Sequence, residues 1–152
     1  MLNPDYKDML SALSEEKAEF LIVGAYALAV YGLPRATGDI DLFVGTDPEN
    51  SKKVYKALKR FGSPLTNVQP ETFTQSGVIY QIGVAPSRID LLTSITGVSF
   101  QEAWIHRQLK QVEGLNVCVL SLDDMILNKS ATGRPKDKVD LEWLETLRKQ
   151  KS

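Results

Sequence analysis

The sequence holds one cysteine, Cys118, and one histidine, His106. A single thiol excludes an internal disulfide framework, and its place in the apolar run LNVCVL reads as a buried thiol kept in a reducing cytosol. His106 has no cysteine or second histidine near it in sequence, so it reads as a surface or core residue rather than a ligand. No run of about 18 apolar residues occurs, and no positively charged leader precedes an apolar segment, so neither membrane spanning nor secretion is expected. Charge of one sign is also lacking. Eighteen Lys and Arg stand against 19 Asp and Glu, for a formal net charge of -1. General capture of a polyanion is therefore not expected, although a local basic patch would still guide one. What is present is 152 residues, 43 % of them hydrophobic, which suits one packed cytoplasmic domain over residues 1–152.

That domain is organised around residues 21–44, LIVGAYALAVYGLPRATGDIDLFV. An apolar strand runs into Gly24 and Ala25, a short helix follows to Tyr31, and Gly32-Leu33-Pro34 returns the chain to a second strand. Alternation along that strand turns Asp39, Asp41 and Phe43 one way and Ile40, Leu42 and Val44 the other. Two neighbouring carboxylates on an otherwise buried strand require solvent, a cation or a strong hydrogen-bond network, and a divalent metal meets that need. Gly24 leaves the backbone open to close approach by a phosphate, and the helix starting near Ala25 presents free N–H groups. Arg35 either neutralises the acids or holds a phosphate. Thr37 and Gly38 add a hydroxyl and an unhindered backbone at the edge of the site.

Elsewhere the pattern is mostly structural. Asn3-Pro4 and Asp47-Pro48 read as caps of two helices, the first burying Tyr6, Met9, Leu10 and Leu13 with no visible chemistry, the second burying Val54, Leu58 and Phe61. Residues 62–74 form a loop long enough to border an active site or to be flexible filler. Strands are expected at 78–84 and 88–92, the second carrying Asp90 between Ile89 and Leu91, and a hairpin at 108–120 turns at Glu113-Gly114. Taken alone, Asp90 reads as a strand-edge residue; taken with Asp39 and Asp41, it would supply the third ligand that a two-cation phosphoryl-transfer site needs. Ser121 caps a helix on which Leu122, Met125, Ile126 and Lys129 share one stripe. Lys129 therefore points inward, either snorkelling or delivering an ammonium to a phosphate.

Taken together, GAYALAVYG, RATGDIDLFV and RIDLL resemble the DNA polymerase beta type nucleotidyltransferase superfamily, with its glycine pair, Asp-x-Asp strand and third Asp. More narrowly, the chain resembles the small nucleotidyltransferases related to the AbiEii toxins of bacterial and archaeal toxin-antitoxin systems. Gly24-Ala25 stands where relatives carry Gly-Gly or Gly-Ser, so a serine contact to phosphate is absent while the backbone part of the pocket remains. Lys129 and Arg134-Pro135-Lys136-Asp137 match the family's lysine and Arg-x-Lys-Asp stretch. The resemblance implies an α/β (α+β) fold, a mixed sheet with helices packed mainly on one side. It implies Mg²⁺-dependent transfer, with Mn²⁺ as an alternative, of a nucleoside monophosphate from an NTP to an acceptor hydroxyl. Asp39, Asp41 and Asp90 would be the catalytic metal ligands. Lys129 would be a catalytic triphosphate contact, and Gly24, Ala25, Arg35, Thr37, Arg134, Lys136 and Asp137 would bind nucleotide or acceptor. The acceptor stays open, with tRNA one candidate, and a cognate antitoxin is a candidate partner. Two alternatives stand beside this reading: a noncatalytic nucleotide- or protein-binding half of a toxin-antitoxin pair, and an antibiotic-type small-molecule nucleotidyltransferase.

Overall fold

A computed structural model describes residues 2–33 and 37–151. The first helix starts where Asn3 and Pro4 place it. The Asn3 side chain accepts from the Asp5 N–H, Pro4 fills a position that needs no N–H, and α1 runs Pro4–Glu15. Strand β1 (Phe20–Val23) is buried at all four residues, as expected of a central strand. It leads into α2 (Gly24–Val30), then β2 (Asp39–Val44) and α3 (Pro48–Phe61). The cap of α3 is Asp47, which accepts from the Asn50 N–H, and Gly62 in the left-handed region ends the helix. Then come β3 (Ile79–Ile82), β4 (Arg88–Leu92), α4 (Phe100–Ile105), β5 (Gln108–Val112), β6 (Leu115–Val119), α5 (Leu122–Thr132) and α6 (Pro135–Lys151).

The six strands form one mixed sheet in the order β3-β4-β2-β1-β6-β5. β2 runs antiparallel to β1 and parallel to β4, and β1 runs parallel to β6. The core gathers β1, Ile40, Leu42 and Val44 of β2, and Ile89 and Leu91 of β4 with Met9, Leu10 and Leu13 of α1 and Val54 and Leu58 of α3. Each such side chain contributes roughly 1.5–3 kcal/mol by leaving water. Beyond the last pairs of β1 and β2, the buried Asn50 takes over the ladder. It accepts from the Glu19 N–H at 2.6 Å and donates to the carbonyls of Glu19 and Gly45 at 3.0 and 2.9 Å.

Three local expectations change. The strand expected over 78–84 is shorter, because Gly83 at φ +76° takes the chain out of the extended region and leaves Val84 exposed. The loop at 62–74 is held in place rather than serving as flexible filler. A 3₁₀ turn at Thr72–Thr74 buries Phe73, and the Ser51 hydroxyl of α3 donates to the Pro70 carbonyl and accepts from the Phe73 N–H. Cys118 is half-buried rather than buried, since it sits on β6 opposite the exposed Leu109 of the edge strand β5. Among the described residues no helix is long and apolar enough to cross a membrane.

Candidate active site

Strand register brings the three acids together. Val23 pairs with Asp41 on one side, Asp41 pairs with Asp90 on the other, and Asp39 lies one pleat repeat along on the same face of β2. One carboxylate oxygen from each of Asp39, Asp41 and Asp90 lies within 4.8 Å of the other two. An all-oxygen set of three carboxylates suits Mg²⁺ or Mn²⁺, which take hard oxygen ligands. The crowding has a measurable cost. Burial, then the charges and hydrogen bonds of Asp39 and Asp90, push the Asp41 carboxyl up to about 7 from the ordinary 3.8. At neutral pH a proton is therefore shared with the cluster where a cation would otherwise relieve the repulsion.

A residue that sequence reasoning passed over completes the cluster. The Arg88 guanidinium donates from Nε to Asp90 at 3.1 Å and from Nη2 to Asp39 at 3.1 Å and Asp90 at 3.2 Å. The signal was present, because Arg88 stands two residues before Asp90 and must share its face. Tyr6 of α1 was also missed. Its hydroxyl donates to the Pro86 carbonyl just ahead of β4, and burial followed by the Asp39 charge makes the phenol harder to ionise. Tyr6 packs edge-on against Tyr26, so α1 carries a wall of the site as well as core.

Gly24 and Thr37 both serve the acids directly. Gly24 has φ +73°, and a Cβ built there would lie 2.6 Å from Asp41 Oδ2. The group that closely approaches this glycine is the Asp41 carboxylate, and Ala25 follows it in the first turn of α2. The Thr37 hydroxyl donates to the Asp39 carbonyl at 2.7 Å and accepts from the Asp39 N–H at 3.3 Å, which braces the start of β2. Arg35 lies outside the described residues.

Gly24→Ala should therefore displace the Asp41 carboxylate. If the resemblance to nucleotidyltransferases holds in binding, divalent-supported NTP affinity should fall about tenfold, while backbone strain costs about 1 kcal/mol of stability. Calorimetric titration beside a thermal melt separates the two. Wild-type affinity in a folded variant would detach the Asp41–Gly24 contact from binding.

The second cluster of sequence candidates gathers around different partners. Lys129 points inward from α5 as its stripe requires, with a side chain only 11 % exposed, but its ammonium meets Asp137 at 3.2 Å and Asp140 at 3.4 Å on α6. Arg134 Nε donates to Asp137 Oδ2 at 2.7 Å, and the Thr132 hydroxyl donates to the same oxygen at 2.6 Å. Burial alone would raise the Asp137 carboxyl, but hydrogen bonds from Arg134, Thr132 and Lys129 hold it well below the carboxylate range. Lys136 is exposed beside them. The α5–α6 joint thus occupies Lys129, Arg134 and Asp137 with one another. His106 is mostly exposed, with Nδ1 3.3 Å from the buried Asp124 carboxylate at the start of α5.

The profile of a family described as "Nucleotidyltransferase of unknown function (DUF6036)" matches residues 5–150. Comparison with curated proteins finds no match. Among solved structures, the chain is similar to a candidate nucleotidyltransferase from Thermotoga maritima at a TM-score of 0.60 and 19 % identity, covering 99 % of this chain and 94 % of that one. At that identity the likeness is one of fold.

Proposed function

The chain belongs to this nucleotidyltransferase family, and from that premise we propose that it acts as one metal-dependent domain transferring a nucleoside monophosphate from an NTP to an acceptor hydroxyl. The observation that carries the reading is the in-register meeting of Asp39, Asp41 and Asp90 within 4.8 Å. These three side chains would hold Mg²⁺ or Mn²⁺, which when bound supplies charge neutralisation of the triphosphate and activation of the acceptor hydroxyl. In the transfer, the acceptor oxygen forms a bond to the α-phosphorus, the bond from that phosphorus to the bridging oxygen breaks, and pyrophosphate leaves. The hydroxyl proton passes to solvent. Positioning and charge carry such a reaction, so no covalent protein nucleophile is required.

Thr37 and Gly24 hold Asp39 and Asp41 where the cation needs them, and Arg88 orients Asp90. The narrower resemblance to AbiEii-like toxins rests on Asp39, Asp41 and Asp90, on Arg35 and Thr37 before the acids, and on Lys129 and Arg134–Asp137, and supports a search for a cognate antitoxin. In this reading Arg134 and Lys136 remain the side chains of that stretch best exposed to an incoming phosphate. The deciding experiment incubates the purified protein with labelled NTPs, Mg²⁺ or Mn²⁺, total RNA and small hydroxyl acceptors. Label transferred to an acceptor is expected. No label on any acceptor, together with no divalent-dependent NTP binding, would overturn the proposal.

A further inference from the structure

Outside the carboxylate cluster, a cavity of about 290 Å³ opens between the end of α2, the start of β5, the start of α5 and the end of α6. Lys110, Arg148 and Lys151 line it beside Tyr31, Ser121 and Asp123. Arg148 Nη1 stands 3.3 Å from Asp123 Oδ1, and the charge of the nearby Asp124 carboxylate acts on the Tyr31 hydroxyl. Among the described lining residues, Lys110, Arg148 and Lys151 outnumber Asp123, in a chain of net charge -1. The Tyr31 ring is fixed, since its hydroxyl donates to the Leu120 carbonyl at 2.7 Å, and Lys110 Nζ lies 5.0 Å from its centroid. Two cations and an anchored aromatic face are the ordinary means of holding a phosphate with a base or sugar beside it.

Its place in the sheet gives the cavity a role. The Leu120 N–H donates to the Ile22 carbonyl, and the next residue of β1, Val23, pairs with Asp41. Two strand spacings, roughly 10 Å, therefore separate the Leu120 backbone from that of Asp41. The cavity lining includes none of Asp39, Asp41 and Asp90, so a phosphate held there is a different one from that held through the acids.

We infer that this cavity is a phosphate subsite for the acceptor, so that the acceptor is a nucleotide-type molecule carrying phosphate as well as the reacting hydroxyl. The inference rests on the proposed transfer for its role, but its test does not. A 5′-fluorescein-labelled oligoribonucleotide with a free 3′ hydroxyl is titrated with the full chain by anisotropy, without NTP or metal, over a series of salt concentrations. Lys110→Ala/Lys151→Ala is compared with Lys56→Ala/Lys59→Ala, which removes the same charge from α3. The cavity variant should bind about tenfold more weakly, with a salt slope smaller by about 1.4 in log-log terms, and the α3 variant should keep wild-type affinity. Competition by adenosine monophosphate would support the subsite with a free nucleotide as its source, and failure to compete would support it with a strand. Equal losses in both variants, or a wild-type chain that does not bind the oligonucleotide, would overturn it. So would a matching fall in the cavity variant's Mg²⁺–NTP affinity. If transfer fails in every assay while the cavity variant still loses oligonucleotide binding, the proposed reaction is wrong and the subsite stands.

Discussion

Asp41→Asn should cut nucleotidyl transfer by about a thousandfold while making the metal-free protein more stable above pH 7. The first half follows from losing a charged ligand at the centre of the three-carboxylate set, where about 4 kcal/mol of transition-state stabilisation corresponds to that factor. The second half follows from the raised Asp41 carboxyl, pushed up to about 7 in the folded protein from the ordinary 3.8. Between those values the folded state holds a proton that the unfolded state has released. Stability is then fully present below about pH 4, falls as pH rises, and levels off above about 7. The displacement sets an upper bound of about 4 kcal/mol, which solvent contact reduces to about 2. Asparagine does not titrate, so the gain of Asp41→Asn should be absent at pH 4 and reach about 5 °C in Tm by pH 8. Added Mg²⁺ with NTP should stabilise the wild type and leave the variant unmoved. An Asp41→Asn protein that melts like wild type across this range, and responds equally to Mg²⁺ and NTP, would remove Asp41 from the site.

Lys129→Met should lower Tm by about 10 °C. Methionine replaces much of the lysine stem, so the loss is almost wholly that of the ammonium between Asp137 and Asp140, whose side chains are 2 % and 3 % exposed. Asp137 keeps Arg134 and Thr132, but Asp140 loses its ammonium partner. Removing one member of a buried ionic network costs about 3–5 kcal/mol, and each kcal/mol is worth about 2–4 °C in a chain of this size. Adding Asp140→Asn should restore much of the loss. A single variant melting within a degree or two of wild type, with NTP affinity sharply reduced, would return Lys129 to the triphosphate and contradict a chiefly structural role.

The contrast between these two residues shows how far the sequence could be read. Elements announced by local chemistry lie where the pattern puts them, as with the Asn3 and Asp47 caps, the Ser121 cap and the alternation of β2 and β4. Such signals act within a few residues, so a linear string contains them whole. The meeting of Asp41 with Asp90 was legible only through the family resemblance, because no local rule pairs positions 49 residues apart. Arg88 was readable in part. Alternation gives its face, while its second partner, Asp39, emerges from the β2–β4 register. The stripe on α5 correctly turned Lys129 inward, but what it meets is decided by α6. Tyr6 was invisible as a site residue because an apolar helical stripe does not reveal what stands at its rim.

Arg88 has a consequence for how such a protein is made. A newly synthesised chain cannot count on finding a metal ion, and three converging carboxylates would oppose closure of the sheet. The guanidinium arrives with the polypeptide, on the same strand as Asp90 and bonded across to Asp39, so a positive charge is built into the cluster from synthesis onward. Maturation and activation thereby become separate events. On the proposed metal-dependent reaction, the sheet would close first, and a metal arriving later with its nucleotide would exchange partners within an assembled cluster instead of nucleating it.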